Sequence, residues 1–142
     1  MNATNERVST VDILILEDDP VHRMLLEAEF KGDSYSRKCA ADAAQALELM
    51  QSEGASYQIG ILDLKVPAAA SDFPQIEPAL RVIEEARKLF PKMIIIAISS
   101  IFITEEIKAR LDAVGTKRVF LKPFPIEDLH DFVDSLRPIA LG

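Results

Sequence analysis

The segment ILILEDDP, residues 13–20, decides how the rest of the chain is read. Ile13 to Leu16 run without a polar break and stop at three successive acids, Glu17, Asp18 and Asp19, just before Pro20. An unbroken apolar run of this length marks a strand covered on both faces, as in a parallel sheet. Three carboxylates stacked at its exit repel one another, so a cation is expected beside them.

Outward from this segment the pattern returns. VDILIL (11–16), YQIGILDL (57–64), MIIIAIS (93–99) and RVFL (118–121) read as buried strands, and SYSRKCA (34–40) as a weaker edge strand. Between them the apolar period lengthens to that of a helix. Val21, Met24, Leu25 and Ala28 are spaced as one buried helical face, with Pro20 at the start and Gly32 past the end. Asp42 with Gln45 forms a capping-box-like start for a helix carrying Leu47 and Met50. Pro78 opens a third helix with Ile83, Ala86 and Phe90, which stops before Pro91. Thr104 caps a fourth, with Glu105 and Glu106 in its first turn, an apolar face of Ile107, Leu111 and Val114, and Gly115 as its stop. Pro125 starts a fifth, with Ile126, Leu129, Phe132, Val133 and Leu136. The expectation is a three-layer α/β/α fold, (βα)₅, with right-handed crossovers placing helices on both faces of a parallel sheet.

At 142 residues and 49% hydrophobic, the chain suits one domain with its own core. We expect a domain over residues 11–138, an N-terminal extension over 1–10 and a short tail over 139–142. A net charge of −7 argues against direct nucleic-acid binding. A single cysteine, Cys39, excludes a disulfide framework and suits a reducing, cytoplasmic setting. The first ten residues lack the apolar stretch of a signal peptide, and no run is long enough to insert in a membrane.

In an open parallel sheet, ligands bind beyond the carboxyl ends of the strands. Glu17, Asp18 and Asp19 stand there after the first strand, Asp63 after the third, Ser99 and Ser100 after the fourth, and Lys122 after the fifth. Clustered carboxylates with hard oxygen donors suit Mg²⁺. A metal ion there holds a phosphoryl group and absorbs charge as it transfers. Asp63, lodged in an otherwise apolar run, is the candidate nucleophile. Lys122 is placed to pair with phosphoryl oxygens and Ser99 to donate a hydrogen bond to them. Asp19 suits an N-cap, while His22 and His130 read as surface or packing residues.

In order and spacing these residues resemble the receiver domain of two-component response regulators, the CheY-like family. The resemblance lies in the acidic pair Glu17-Asp18, Asp63 and Pro67 in DLKVP, Ser99, and Lys122-Pro123, and it covers about residues 10 to 137. It implies a flavodoxin-like sheet of order 2-1-3-4-5. It implies that Asp63 accepts a phosphoryl group from a histidine kinase or phosphotransfer protein. Asp18, Asp63 and the backbone carbonyl of Lys65 would bind Mg²⁺, with Glu17 acting mostly through water. Ser99 and Lys122 would move toward the phosphoryl oxygens, and Lys122-Pro123 would be cis. The protein would be a signalling phosphoacceptor that catalyses only its own phosphorylation and dephosphorylation. It would pass its signal to a downstream protein, with a homodimer among the forms the family allows.

Three features depart from the family. The segment KVPAAASDFPQIEP (65–78) exceeds an ordinary βα loop. Val119 stands three residues before the lysine, where many receivers carry a switching aromatic. Lys65 and Ser100 occupy places that tune phosphoryl lifetime in the family. Two other readings stay open: a pseudo-receiver that binds partners without phosphorylation, and an aspartyl phosphatase. The second wants an acid two residues after the nucleophile, where this chain has Lys65.

Overall fold

The computed structural model describes residues 10–142, so the expected extension at 1–10 lies almost wholly outside the described residues. Five strands alternate with five helices: β1 (Val11–Leu16), α1 (Pro20–Glu29), β2 (Tyr35–Ala40), α2 (Ala43–Gln51), β3 (Ile59–Asp63), α3 (Ile76–Leu89), β4 (Ile94–Ser99), α4 (Glu105–Ala113), β5 (Arg118–Leu121) and α5 (Ile126–Leu141). The strands form one parallel sheet in the order β2-β1-β3-β4-β5. The residues expected as a tail largely continue α5, which runs through Pro138 to Leu141.

The unbroken apolar strands have a direct cause. Side chains alternate between the two faces of a strand, and here each face has its own core. Leu14, Leu16, Leu62, Ile95 and Ala97 pack with Ala46, Met50, Leu80, Ile83, Ile107 and Leu111 beneath α2, α3 and α4. Ile13, Ile15, Ile59, Ile61, Ile96, Ile98 and Phe120 pack with Leu26, Phe30, Leu129, Val133 and Leu136 beneath α1 and α5. At the edge, β2 is buried only at its ends and alternates between them.

One expectation fails. Val21, Met24 and Leu25, read from their spacing as the buried face of α1, are 66%, 67% and 52% exposed. Ala28 is exposed with them. The helix instead turns His22, Leu26 and Phe30 inward, one turn apart. Its rotation is set at the start, where Asp19 Oδ1 accepts from the amides of Val21 (2.9 Å) and His22 (3.5 Å). Arg23 reaches back to the Glu17 carbonyl at 2.8 Å. The helix carries two apolar stripes, and its N-terminal anchoring selects the smaller one for the core.

Arg87, near the end of α3, fastens three chain segments. Its Nε donates to the Val114 carbonyl at the end of α4 (2.7 Å), and its Nη1 donates to the carbonyls of Pro91 (2.8 Å), Met93 (2.9 Å) and Phe90 (3.4 Å). Arg87→Ala strips the donor from all of them. We expect a loss of about 2–3 kcal/mol in urea unfolding, the size of several carbonyls losing a charged donor in a partly buried place. A loss below about 0.5 kcal/mol would show that water replaces the guanidinium.

Candidate functional site

The carboxyl ends of β1, β3 and β5 bring Glu17, Asp63 and Lys122 into contact. Lys122 Nζ donates to Glu17 Oε1 and to Asp63 Oδ2, both at 2.7 Å. Glu17 and Asp63, 105 and 59 positions before Lys122, thus share its ammonium, as the parallel register allows: Leu16 pairs with Leu62, Asp63 with Ile98, and Ser99 with Leu121. The Lys122–Pro123 peptide is cis. Glu17 is fully buried and Asp63 is 2% exposed.

Glu17 takes further donors. His22 Nδ1 lies 2.5 Å from Oε1, and the Asp19 amide donates to Oε2 at 3.1 Å. Burial raises the Glu17 pKa, but the bonds from His22, Lys122 and Asp19 outweigh it and hold the carboxyl below its ordinary value. Nδ1 therefore carries the proton in the His22–Glu17 bond. Asp63 accepts from Lys122 and from the Lys65 amide (2.8 Å). Its burial dominates, with the Glu17 charge adding to it, and its pKa is pushed up to about 6. Asp18, half-buried, is also raised, by burial and then by Glu17. Lys122 is raised: burial disfavours its charge, but Asp63 and Glu17 more than compensate.

One oxygen each from Glu17, Asp18 and Asp63 lies within 4.8 Å of the others. This hard-oxygen set fits a small divalent cation such as Mg²⁺. Burial first, and the Glu17 charge after it, raise the pKa values of Asp18 and Asp63, and such an ion would favour their ionised forms.

Ser99 ends β4 between β3 and β5, and its hydroxyl bonds within its own loop. It is 1% exposed, and its Oγ exchanges 3.0 Å hydrogen bonds with the Ile101 amide and carbonyl. Lys65 is exposed, and its backbone amide meets Asp63. His22 is the contributor that sequence reading missed. Its only signal was its place four residues after Asp18, on the helix that leaves the acidic loop.

Of the segment 65–78, Ile76, Glu77 and Pro78 already belong to α3, and residues 65–75 form an excursion. Val66 and Gln75 close its base through reciprocal backbone bonds of 3.0 and 2.9 Å. The first amides of α2, at Ala43 and Ala44, donate to the carbonyls of Pro67 and Ala68. Between these anchors Phe73 stands 86% exposed. Val119 is half-buried against the core under α4.

Residues 13–134 match the model of the response regulator receiver domain family. Sporulation initiation phosphotransferase F of Bacillus subtilis (strain 168) is 29% identical over 127 residues, 89% of this chain and 94% of that protein. The receiver domain protein (CheY-like) of Methanospirillum hungatei JF-1 superposes with a TM-score of 0.76 at 21% identity, over 92% of this chain and 96% of that one. A response regulator of Burkholderia pseudomallei, solved with a phosphorylated aspartic acid, calcium ion and citrate, gives a TM-score of 0.67 at 17% identity, over 88% and 71%. With a family match over most of its length on a sheet of order 2-1-3-4-5, the chain belongs to the response regulator receiver domains.

Proposed function

We propose that this protein accepts a phosphoryl group on Asp63 from the phosphohistidine of a kinase or phosphotransfer protein, in a Mg²⁺-dependent reaction. The observation that carries the reading is the convergence of Glu17, Asp18, Asp63 and Lys122 at one end of the sheet. In the transfer, an Asp63 carboxylate oxygen attacks phosphorus. The P–N bond to the donor histidine breaks, and its electron pair stays on the imidazole, which takes up a proton. Lys122 moves with the phosphoryl oxygens and neutralises charge on them. The Lys65 amide keeps Asp63 oriented. Ser99 gives up its bonds to Ile101 and donates to a phosphoryl oxygen. That exchange reshapes the loop before α4 and makes α4 and β5 the signalling face. Asp18, Asp63 and the Lys65 carbonyl would hold Mg²⁺, with Glu17 mostly through water, and the ion would supply countercharge for the transferring group.

The exposed stripe of Val21, Met24, Leu25 and Ala28 supports docking of a donor protein, because it begins one turn from Asp18 at the mouth of the site. Apolar side chains more than half exposed this close to the reacting group suit a partner's apolar surface. The protein is a phosphoacceptor in signalling rather than a turnover enzyme. The family resemblance suits a cytoplasmic setting; separately, among the described residues no helix is long and apolar enough to cross a membrane.

The test is incubation with acetyl phosphate and Mg²⁺, followed by intact-mass measurement. We expect one added phosphoryl mass on the wild type and none on Asp63→Ala. No labelling of the wild type, or equal labelling of both, would end the proposal. Equal affinity for a downstream partner with and without beryllofluoride would favour the pseudo-receiver.

A further inference from the structure

We infer that His22 is a positioning residue of this site, holding Glu17 so that Lys122 can leave it for a phosphoryl oxygen. The inference rests on the receiver reading above, and it concerns what happens to Glu17 when the site switches.

The single oxygen Glu17 Oε1 accepts both from His22 Nδ1 at 2.5 Å and from Lys122 Nζ at 2.7 Å. Glu17 has no solvent exposure, so apart from a water held by Mg²⁺ no solvent stands in for a lost donor. A phosphoryl group on Asp63 draws Lys122 outward to its oxygens. Without another donor, that movement would strand a buried carboxylate oxygen, a costly outcome. His22 removes the difficulty, because Oε1 keeps one donor after the ammonium has gone. His22 is also built in. Its amide is capped by Asp19, and its ring meets Phe124 edge-on at 5.7 Å and 78°. Phe124 lies two residues past Lys122. The residue that steadies Glu17 thus packs on the loop that carries the moving lysine.

A donor that only shaped the fold would affect the resting site and the occupied site alike. A donor that shares Oε1 with Lys122 at rest matters most in the occupied state, when Lys122 has gone. Two ligands separate the cases: Mg²⁺ by itself, which leaves Lys122 on Glu17, and beryllofluoride with Mg²⁺, which draws Lys122 away. The variant is His22→Phe, which keeps a ring against Phe124 and removes the nitrogen donor. Titration calorimetry is expected to show Mg²⁺ bound to His22→Phe at least as tightly as to the wild type. Beryllofluoride binding is expected to weaken about tenfold, in line with one hydrogen bond to a buried charge. His22→Asn, whose amide nitrogen reaches the place of Nδ1, is expected to recover most of the loss. Thermal melting checks the fold of each variant, and His22→Leu substitutes if the phenylalanine is not accommodated.

Unchanged beryllofluoride affinity in a folded donor-free variant would overturn the inference and leave the receiver reading standing. So would a matched loss of both ligands, or failure of His22→Asn to restore binding. A wild type that binds no beryllofluoride would overturn both.

Discussion

Replacing Lys122 by methionine should cost the metal-free protein about 2–4 kcal/mol at pH 7.5, with the cost shrinking steadily toward pH 5. The ammonium is the shared partner of two carboxylates, one fully buried and one 2% exposed. Removing it leaves their charges facing each other in a place that water does not reach, and this, more than any lost attraction, is what makes a broken buried pair expensive. The pH dependence follows from the relief available. Without Lys122 the folded-state pKa of Asp63, already raised to about 6, rises further, while its value in the unfolded chain stays at about 3.9. Over the widened interval the native state holds a proton that the unfolded chain has lost, so stability falls as pH rises. Urea unfolding of both proteins at pH 5, 6, 7 and 8 measures it. A penalty that is constant across this range would mean that the lysine contributes packing rather than charge.

Asp63→Asn should have the opposite effect, raising metal-free stability at pH 7.5 by about 2–3 kcal/mol. The sign comes from the same carboxyl. Burial lifts its folded-state pKa to about 6, above the unfolded value. Below about pH 4 both states are protonated and Asp63 costs nothing. Between about 4 and 6 the unfolded chain ionises first, and above that window the full penalty of a buried charge beside Glu17 stands. Asparagine keeps the shape and the acceptor oxygen facing the Lys65 amide and Lys122, but carries no charge. The gain should vanish near pH 4 and diminish when saturating Mg²⁺ stabilises the wild type. A variant less stable than wild type at pH 7.5 would show that the Asp63–Lys122 attraction outweighs the burial of the carboxylate. A carboxyl such as Asp63, strained when ionised without a metal, favours binding of a cation that relieves it.

The site residues were legible one at a time only as weak signals. Glu17, Asp63 and Lys122 each have ordinary explanations as a cap, a turn and a solvated lysine. What joined them was their common place after apolar runs. The strand ends could be located because β1, β3 and β4 are buried on both faces and advertise themselves without alternation. The first strand and the last, 11–16 and 118–121, are found where they were expected. The face of α1 was misread because periodicity identifies stripes without saying which one faces inward. Here two stripes compete, and Asp19 with Arg23 sets the rotation. His22 was missed for the same reason, since its approach to Glu17 depends on that rotation. The turn of Ser99 toward Ile101 depends on a local backbone geometry that composition does not encode.

Thus the amino-acid sequence alone determined the alternation of strands and helices and the set of groups delivered to one rim, because covering both faces of a strand demands an unbroken apolar run that can be seen locally. Only the tertiary structure decided which carboxylate is satisfied and which is strained. Lys122 is shared between Glu17 and Asp63, His22 tips the balance toward Glu17, and Asp63 is left with the raised pKa. That division arises from distances of a few ångströms between residues far apart in the chain, where burial and charge act at a range that linear order does not record.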